Sequence, residues 1–459
     1  MKKRKNEIDM CNGPLFGKVL IFSLPLMLSG ILQLLYNAAD VAVVGRFAGS
    51  ESLAAVGSTG SLINLMTNLF IGMSVGASVV VARNLGAHNF RKAHDSVHTA
   101  IAISLIAGAV TLAIGLSLSK VFLALMDTPA DVIELATVYM RIYFIGMPGL
   151  MVYNFGAAIL RAMGDTVRPL IFLTISGIVN VALNLFFVCV FHMDVAGVAL
   201  ATIISQYISA VLVIICLLKL ENCCHLSIKE IAFHKEEVTE ILKVGLPAGV
   251  QSSLFSVSNV LIQSSINSFG STVMAGNAAA SNIEGFTYIA MNSVYQASLT
   301  FTSQNVGAKK PERISRVAVV SLFIVTAVGL VLGSLSYAFG ETLLKIYSTD
   351  AAIIPYGMVR LKYICLPYFL CGVMEIFVGL LRGMNCSTIP MIVSVFGSCV
   401  FRVLWVYTAF RAYPTQETLY IAYIISWALC SAIHFICYLI IKKRITKKLN
   451  AEKSLEVSQ

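Results

Sequence analysis

The sequence predicts an all-α membrane protein: twelve transmembrane helices in two pseudo-symmetric six-helix lobes. Three observations predict it. Apolar runs of span length recur from one end of the 459 residues to the other, with 58% of residues hydrophobic and 12% charged. A soluble domain carries about 25% charged residues, and a helix needs about 20 apolar residues to cross a bilayer. Most of the 33 Lys and Arg fall on alternate connections, the asymmetry that marks the inner side and puts both termini there. The second half of the chain also repeats motifs of the first at a nearly constant offset. No alternating apolar–polar strand pattern is present, which argues against a membrane barrel.

The spans are read at 15–45, 53–82, 95–118, 133–159, 168–191, 195–218, 240–268, 274–304, 314–338, 352–380, 388–410 and 417–441. Several exceed the minimum, so tilt, kinks or extension beyond the bilayer are expected. Pro25, Pro148, Pro247 and Pro367 fall in or near spans, where each removes a backbone donor and invites a kink. Inner connections carry Arg83, Arg91 and Lys92, then Arg161 and Arg168, then Lys309, Lys310, Arg313 and Arg316. Outer connections are short: Gly49–Ser52, Asp127–Asp131, His192–Asp194, Phe269–Thr272 and Tyr413–Glu417. The expected organisation is an inner tail (1–14), a first lobe (15–220), an inner linker (221–239), a second lobe (240–443) and an inner C-terminal tail (444–459).

The repeat is read from five pairs. Arg83-Asn-Leu-Gly-Ala87 matches Gln304-Asn-Val-Gly-Ala308, Leu160-Arg-Ala-Met163 matches Leu381-Arg-Gly-Met384, and Pro169 matches Pro390, each 221 residues apart. Leu24-Pro25 recurs as Leu246-Pro247, and Arg141 and Pro148 recur as Arg360 and Pro367. Six spans per copy is an even number, so both copies cross in the same sense. Parallel repeats of this kind occur in transporters that rock one half against the other.

The first span, PLMLSGILQLLYNAADVAVVGR, carries an acid, Asp40. A charge at bilayer depth costs about 2.5–3.5 kcal/mol on insertion scales and marks a functional site by default. Tyr36 and Asn37 lie four and three residues earlier, so all three share one helical face. Asp40 reads as a cation- or proton-binding group; the bland alternative is an acid held in a fixed salt bridge or reaching the outer surface. Asn180 and Asn184 share a face of the fifth span, as a polar site or as ordinary interhelical hydrogen bonding. In the second half Glu284, beside Asn282 and four before Tyr288, reads as a substrate or second ion site, to which Gln251 is added. Glu375 and Arg402 are deep charges read as structural, pairing with each other or with Glu284. Arg161 and Arg382 are read as structural helix-end residues.

The net charge of +10 reflects the inner loops and is no nucleic-acid signal. Eleven scattered cysteines, with Cys223 and Cys224 adjacent in the linker, suggest neither a disulfide framework nor a zinc site. The MKKRKNE start reads as a retained tail rather than a signal peptide. No P-loop or HExxH is present in the sequence, so ATP-driven transport and zinc-dependent hydrolysis have no support and the chain is not read as an enzyme.

Taken in order, Asp40-Val-Ala-Val-Val-Gly-Arg46, LAAVG at 53–57, Arg83-Asn-Leu-Gly-Ala87, LRAMGDTVRP at 160–169 and VAGVALAT at 195–202 are similar to one family over nearly the whole chain. The chain resembles the multidrug and toxic compound extrusion (MATE) transporters, prokaryotic type; lipid-linked-oligosaccharide flippases of the wider superfamily share some of these motifs. The resemblance implies two lobes in a V around a central cavity and export driven by inward Na⁺ or H⁺. It implies an ion site of Asp40, Asn180, Asn184, Thr202, Tyr36 and Tyr139, with Asp40 and Asn180 as Na⁺ ligands if Na⁺ is the coupling ion. Asn184 departs from the pattern by standing where relatives carry a second acid, and the seventh-span acid of some relatives falls at Phe255. One carboxylate with neutral oxygens suits either a hard cation, which takes oxygen donors, or a protonatable switch.

The expected function is antiport of amphipathic organic cations against H⁺ or Na⁺ by rocker-switch alternating access. No cofactor is expected beyond that ion. The partners are small organic cations and the lipid bilayer, not nucleic acid, with a monomer in the cell inner membrane. A flippase or exporter of a lipid-linked metabolite is the alternative, and a non-transporting scaffold or receptor a third reading. A flippase should line its cavity with several basic residues, whereas the deep basic residues of the sequence are mainly Arg402.

Overall fold

In the computed structural model, which describes residues 7–47, 49–126, 128, 132–347 and 350–457, each apolar run becomes a helix. The first half comprises α1 (Leu15–Phe47), α2 (Gly49–Gly86), α3 (Phe90–Leu125), α4 in two pieces (Ile133–Ile145 and Met147–Ala162), α5 (Val167–Val190) and α6 (Asp194–Leu218). The second half comprises α7 (Lys235–Asn267), α8 (Ser271–Gly307), α9 (Pro311–Ala338), α10 in two pieces (Ala351–Cys365 and Phe369–Gly383), α11 (Thr388–Phe410) and α12 (Gln416–Val457). Eight of these helices are long and apolar enough to cross a membrane, and ten when each bent pair counts as one span. The other two, α7 and α8, are interrupted by Ser, Asn and Gln. The twelve expected spans correspond one to one with α1–α12.

The prolines divide into two kinds. The pieces of α4 meet at 46° beside Pro148, and those of α10 at 42° beside Pro367. Pro25 and Pro247 instead lie inside α1 and α7, which continue through them. Gly49–Ser52, expected as a connection, is the first turn of α2. Ser52 and Ala55 are buried there, and packing overrides weak helix propensity. Of Asp127–Asp131, only Thr128 lies among the described residues. Residues 1–6 of the N-terminal tail and 458–459 of the C-terminal tail lie outside them.

Packing divides the chain differently from chain order. One compact unit holds Met1–Ile8 with Leu28–Ser253, and the other Asp9–Met27 with Leu254–Gln459. The start of α1 therefore packs with second-half helices, and the start of α7 with first-half helices. In the first unit the reason is a pair of small-residue faces, Gly72-x-x-x-Gly76 on α2 and Gly245-x-x-x-Gly249 on α7. A Cβ on Gly72 would lie 2.3 Å from the Gly249 Cα, and one on Gly76 would lie 2.2 Å from the Ile241 carbonyl oxygen. Such contact lets helices associate where lipid supplies no hydrophobic drive. Gly249→Leu should force α2 and α7 apart at a cost of at least about 1–3 kcal/mol. The expected result is a lower melting temperature in detergent; an unchanged melting curve would contradict this packing.

The repeated inner motif has a structural job in each unit. Asn84 is buried, donating to Ser96 Oγ at 2.9 Å and to Glu237 at 3.5 Å, which ties α2 to the start of α7. Its counterpart Asn305 is buried, donating to the Met10 carbonyl at 3.1 Å, which ties α8 to the segment before α1. The turn that follows needs a left-handed residue in both copies, His88 (φ 54°) and Lys309 (φ 53°), 221 residues apart. Gly164 and Asn385 repeat the same relation after α4 and α10.

Candidate functional site

The polar face of α1 finds its partners on α5 and α6 in the first unit. Asp40 is half-buried, and the buried Asn184 Nδ2 donates to its Oδ1. Asn184 Nδ2 also donates to Asn180 Oδ1 at 3.3 Å, the two amides standing one turn apart on α5. Asn180 Nδ2 reaches Thr202 Oγ1 on α6 at 3.5 Å, and that hydroxyl donates to the Val198 carbonyl at 3.0 Å. Four of the six expected ion-site residues thus form one hydrogen-bonded chain.

The other two stand beside it. The Tyr36 hydroxyl donates to the Thr174 carbonyl at 3.4 Å, and its ring lies where a Cβ on Gly177 would come within 1.9 Å. Only a glycine at 177 admits that ring. Tyr139 is buried and packs on Tyr143, ring centroids 6.0 Å apart. It makes no hydrogen bond to Asp40. Asn37 is exposed.

One atom of this chain is left over. The Oδ1 of Asn184 is buried with no hydrogen-bond partner among the described residues. An unpaired buried acceptor costs about 1–3 kcal/mol. Asp40, Asn180 and Thr202 bring a carboxylate, an amide oxygen and a hydroxyl into the same hydrogen-bonded chain.

The acids of the second unit are arranged differently from expectation. Glu284 is closed by Arg360, whose Nη2 and Nε lie 2.7 and 3.0 Å from Oε2. Tyr368 donates to Oε1 at 3.1 Å. Arg360 Nη1 also donates to the buried Asn277 Oδ1 at 2.6 Å, which the Tyr420 hydroxyl caps at 2.9 Å. Glu284, expected as an open substrate or second ion site, is thus held on both carboxylate oxygens by protein donors. Its expected neighbours lie apart from this network. Asn282 is exposed and bonds to the Ala278 carbonyl at 3.2 Å, Tyr288 is exposed, and Gln251 is a buried residue of the first unit.

Glu375 and Arg402 do not pair with each other, and neither pairs with Glu284. Arg402 is buried, with its guanidinium 4.1 Å from the Tyr423 ring centroid and its Nε donating to Ser426 at 3.0 Å. Arg382 ends α10 and donates to the Tyr295 hydroxyl, while Arg161 ends α4 half-buried. Arg360, seen in the sequence only as a repeat marker, is a deep basic residue alongside Arg402. A buried arginine in a span needs polar or aromatic partners, and a carboxylate is one of them, so that signal was available. Asn277, Tyr368 and Tyr420 carried no such signal.

A family model described as MatE matches residues 25–186 and again 247–408, so its two matches start 222 residues apart. The chain belongs to the MatE family. MatE proteins are membrane transporters and not enzymes, and the double match reproduces the internal repeat. Among relatives, the chain is 26% identical over 431 residues to "Probable multidrug resistance protein YpnP" of Bacillus subtilis (strain 168), covering 94% of this chain and 96% of the relative. It is 23% identical over 401 residues to "Multidrug export protein MepA" of Staphylococcus aureus (strain NCTC 8325 / PS 47), covering 86% and 88%. Among solved structures, a MOP superfamily transporter from Pyrococcus furiosus aligns with a TM-score of 0.90 at 22% identity, covering 97% of this chain and 99% of that one. An outward-facing MATE family transporter aligns with a TM-score of 0.89 at 22% identity. The fold of this MatE chain is therefore twelve helices in two pseudo-symmetric six-helix lobes.

Proposed function

We propose that this MatE chain is a secondary active exporter of amphipathic organic cations, driven by inward H⁺ or Na⁺ through rocker-switch alternating access. The observation that carries the reading is the Asp40–Asn184–Asn180–Thr202 chain with the unpaired Asn184 Oδ1 at its centre. A proton on Asp40, or a Na⁺ among Asp40, Asn180, Asn184 and Thr202 oxygens, neutralises the one acid of this site. Loss of that charge removes the cost of closing the site, and the ion favours whichever conformation binds it better, by that difference in affinity alone. The multidrug names of the relatives support a substrate of this class. In this reading the chain acts as a monomer in the plasma membrane with both termini in the cytoplasm.

The flippase reading loses support because the buried arginines of the second unit are engaged: Arg360 with Glu284, Arg382 with Tyr295, and Arg402 with Tyr423 and Ser426. Ethidium efflux from proteoliposomes, with Na⁺ and pH gradients imposed separately, tests the proposal. One gradient should accelerate efflux and the other should not. No acceleration by either would overturn it.

A further inference from the structure

The polar segment joining the two halves folds down onto the start of α3. The Ser227 N–H donates to His98 Nε2 at 2.9 Å, the Thr99 hydroxyl donates to the Ala232 carbonyl at 3.4 Å, and the His234 N–H donates back to Thr99 at 3.3 Å. These three bonds carry Glu230, on the 3-10 turn Ile228–Glu230, over the first turns of α3. There it meets two imidazoles spaced i, i+4 on one helix face, His94 and His98, whose ring centroids are 4.1 Å apart.

We propose that His94, His98 and Glu230 form a binding site for a divalent transition metal, Zn²⁺ being the natural occupant of such a set. Their ligand atoms all lie within 4.8 Å of one another. His94 Nε2 is 3.2 Å from Glu230 Oε2, and His98 Nε2 is 3.9 Å from the same oxygen. Tetrahedral zinc, with bonds of about 2.0–2.1 Å, holds its ligand atoms roughly 3.3 Å apart. The His94–Glu230 spacing of 3.2 Å already matches that value, while the wider spacings, up to 4.8 Å, must close on the ion. Two imidazoles and one carboxylate with an open fourth position suit zinc, nickel or cobalt rather than magnesium or calcium.

The surroundings orient the His98 ring. His98 Nδ1 faces the His94 carbonyl at 2.8 Å, which holds the proton on Nδ1 and leaves Nε2 as an acceptor, taken by the Ser227 N–H at 2.9 Å. His94 Nδ1 lies 3.7 Å from Asp95 Oδ1, outside direct hydrogen-bond distance. His234 Nε2 stands 3.9 Å from the same Asp95 oxygen. Metal binding takes over the His98 lone pair that Ser227 N–H now uses, so loading moves that amide aside. The ion then ties the joining segment to α3 through side chains. That segment leads directly into α7, whose Glu236 pairs with Lys92 at 2.8 Å and Glu240 with Arg83 at 3.0 Å.

The test uses the full chain, purified free of any histidine tag, stripped with EDTA and titrated calorimetrically with ZnCl₂. One saturable Zn²⁺ per chain is expected, with affinity at least tenfold weaker in both His94→Gln and Glu230→Gln. These two positions are preferred because both side chains are partly exposed, whereas His98 is fully buried and its loss endangers folding. His88→Gln, an exposed histidine outside the cluster, should bind as the wild type does. Absence of saturable binding, or unchanged binding in His94→Gln and Glu230→Gln, would overturn the site.

Discussion

Asp40→Asn lowers ion-driven ethidium efflux to the leak rate of empty liposomes, while the variant still folds and still binds substrate. The substitution is close to isosteric. The amide oxygen can still accept from Asn184 Nδ2, so the hydrogen-bonded chain to Asn180 and Thr202 survives. What disappears is the charge, and with it the capacity to trade a proton or Na⁺ for a drug cation. A structural role for Asp40 would give the opposite pattern, lost stability with transport per folded molecule retained. Asn184→Asp makes the complementary case. It places a second carboxylate against the first, and two adjacent like charges cannot both ionise without a cation between them. Efflux by this variant should gain dependence on the coupling ion, measured as a shift in the ion concentration giving half-maximal rate.

The second large effect lies in the other unit. Glu284→Gln leaves the Arg360 guanidinium buried without its carboxylate, and Arg360→Gln strands Glu284 in the same way. The side chains are only 9% and 13% exposed, so solvent screens the pair little. Breaking one partner of a buried pair costs about 3–5 kcal/mol, because the other charge stays buried and unpaired. Melting temperatures should fall by on the order of 5–10 °C in either single variant. The double variant should recover most of the loss, since two neutral amides need no counter-charge. A double variant that melts as low as the sum of the singles would show that the two residues act independently.

Much of this architecture was legible because a bilayer enforces simple rules. Apolar length marks each span, basic residues mark one side, and the offset between copies marks the repeat. Asp40 and the Asn180–Asn184 pair were legible because a polar group in a span must find partners and helical spacing put them on definable faces, whereas their grouping with Thr202 came from the resemblance to MATE transporters. What could not be read was which helix meets which. Tyr36 and Tyr139 sit near the acid, yet Tyr36 bonds to a carbonyl of α5 and Tyr139 packs on Tyr143. The pairing of Glu284 with Arg360, 76 residues away, depends on how α8 and α10 pack, and no local pattern encodes that. The exchange of helix starts between units rests on backbone contact at Gly72 and Gly249, where the deciding feature is an absent side chain. The cluster of His94, His98 and Glu230 was not read from the sequence, because Glu230 joins the two histidines only through the folding of the linker onto α3.

The central claim is that the coupling ion and the drug compete for a state of the protein set by the Asp40 carboxyl. Ion displacement by ethidium in the purified protein tests it most directly, read as proton release in weak buffer and as loss of bound radiolabelled Na⁺. The account predicts that the wild type gives up one equivalent of one of these ions as ethidium binds, and that Asp40→Asn binds ethidium and releases neither. Equal ion release from Asp40→Asn would contradict it.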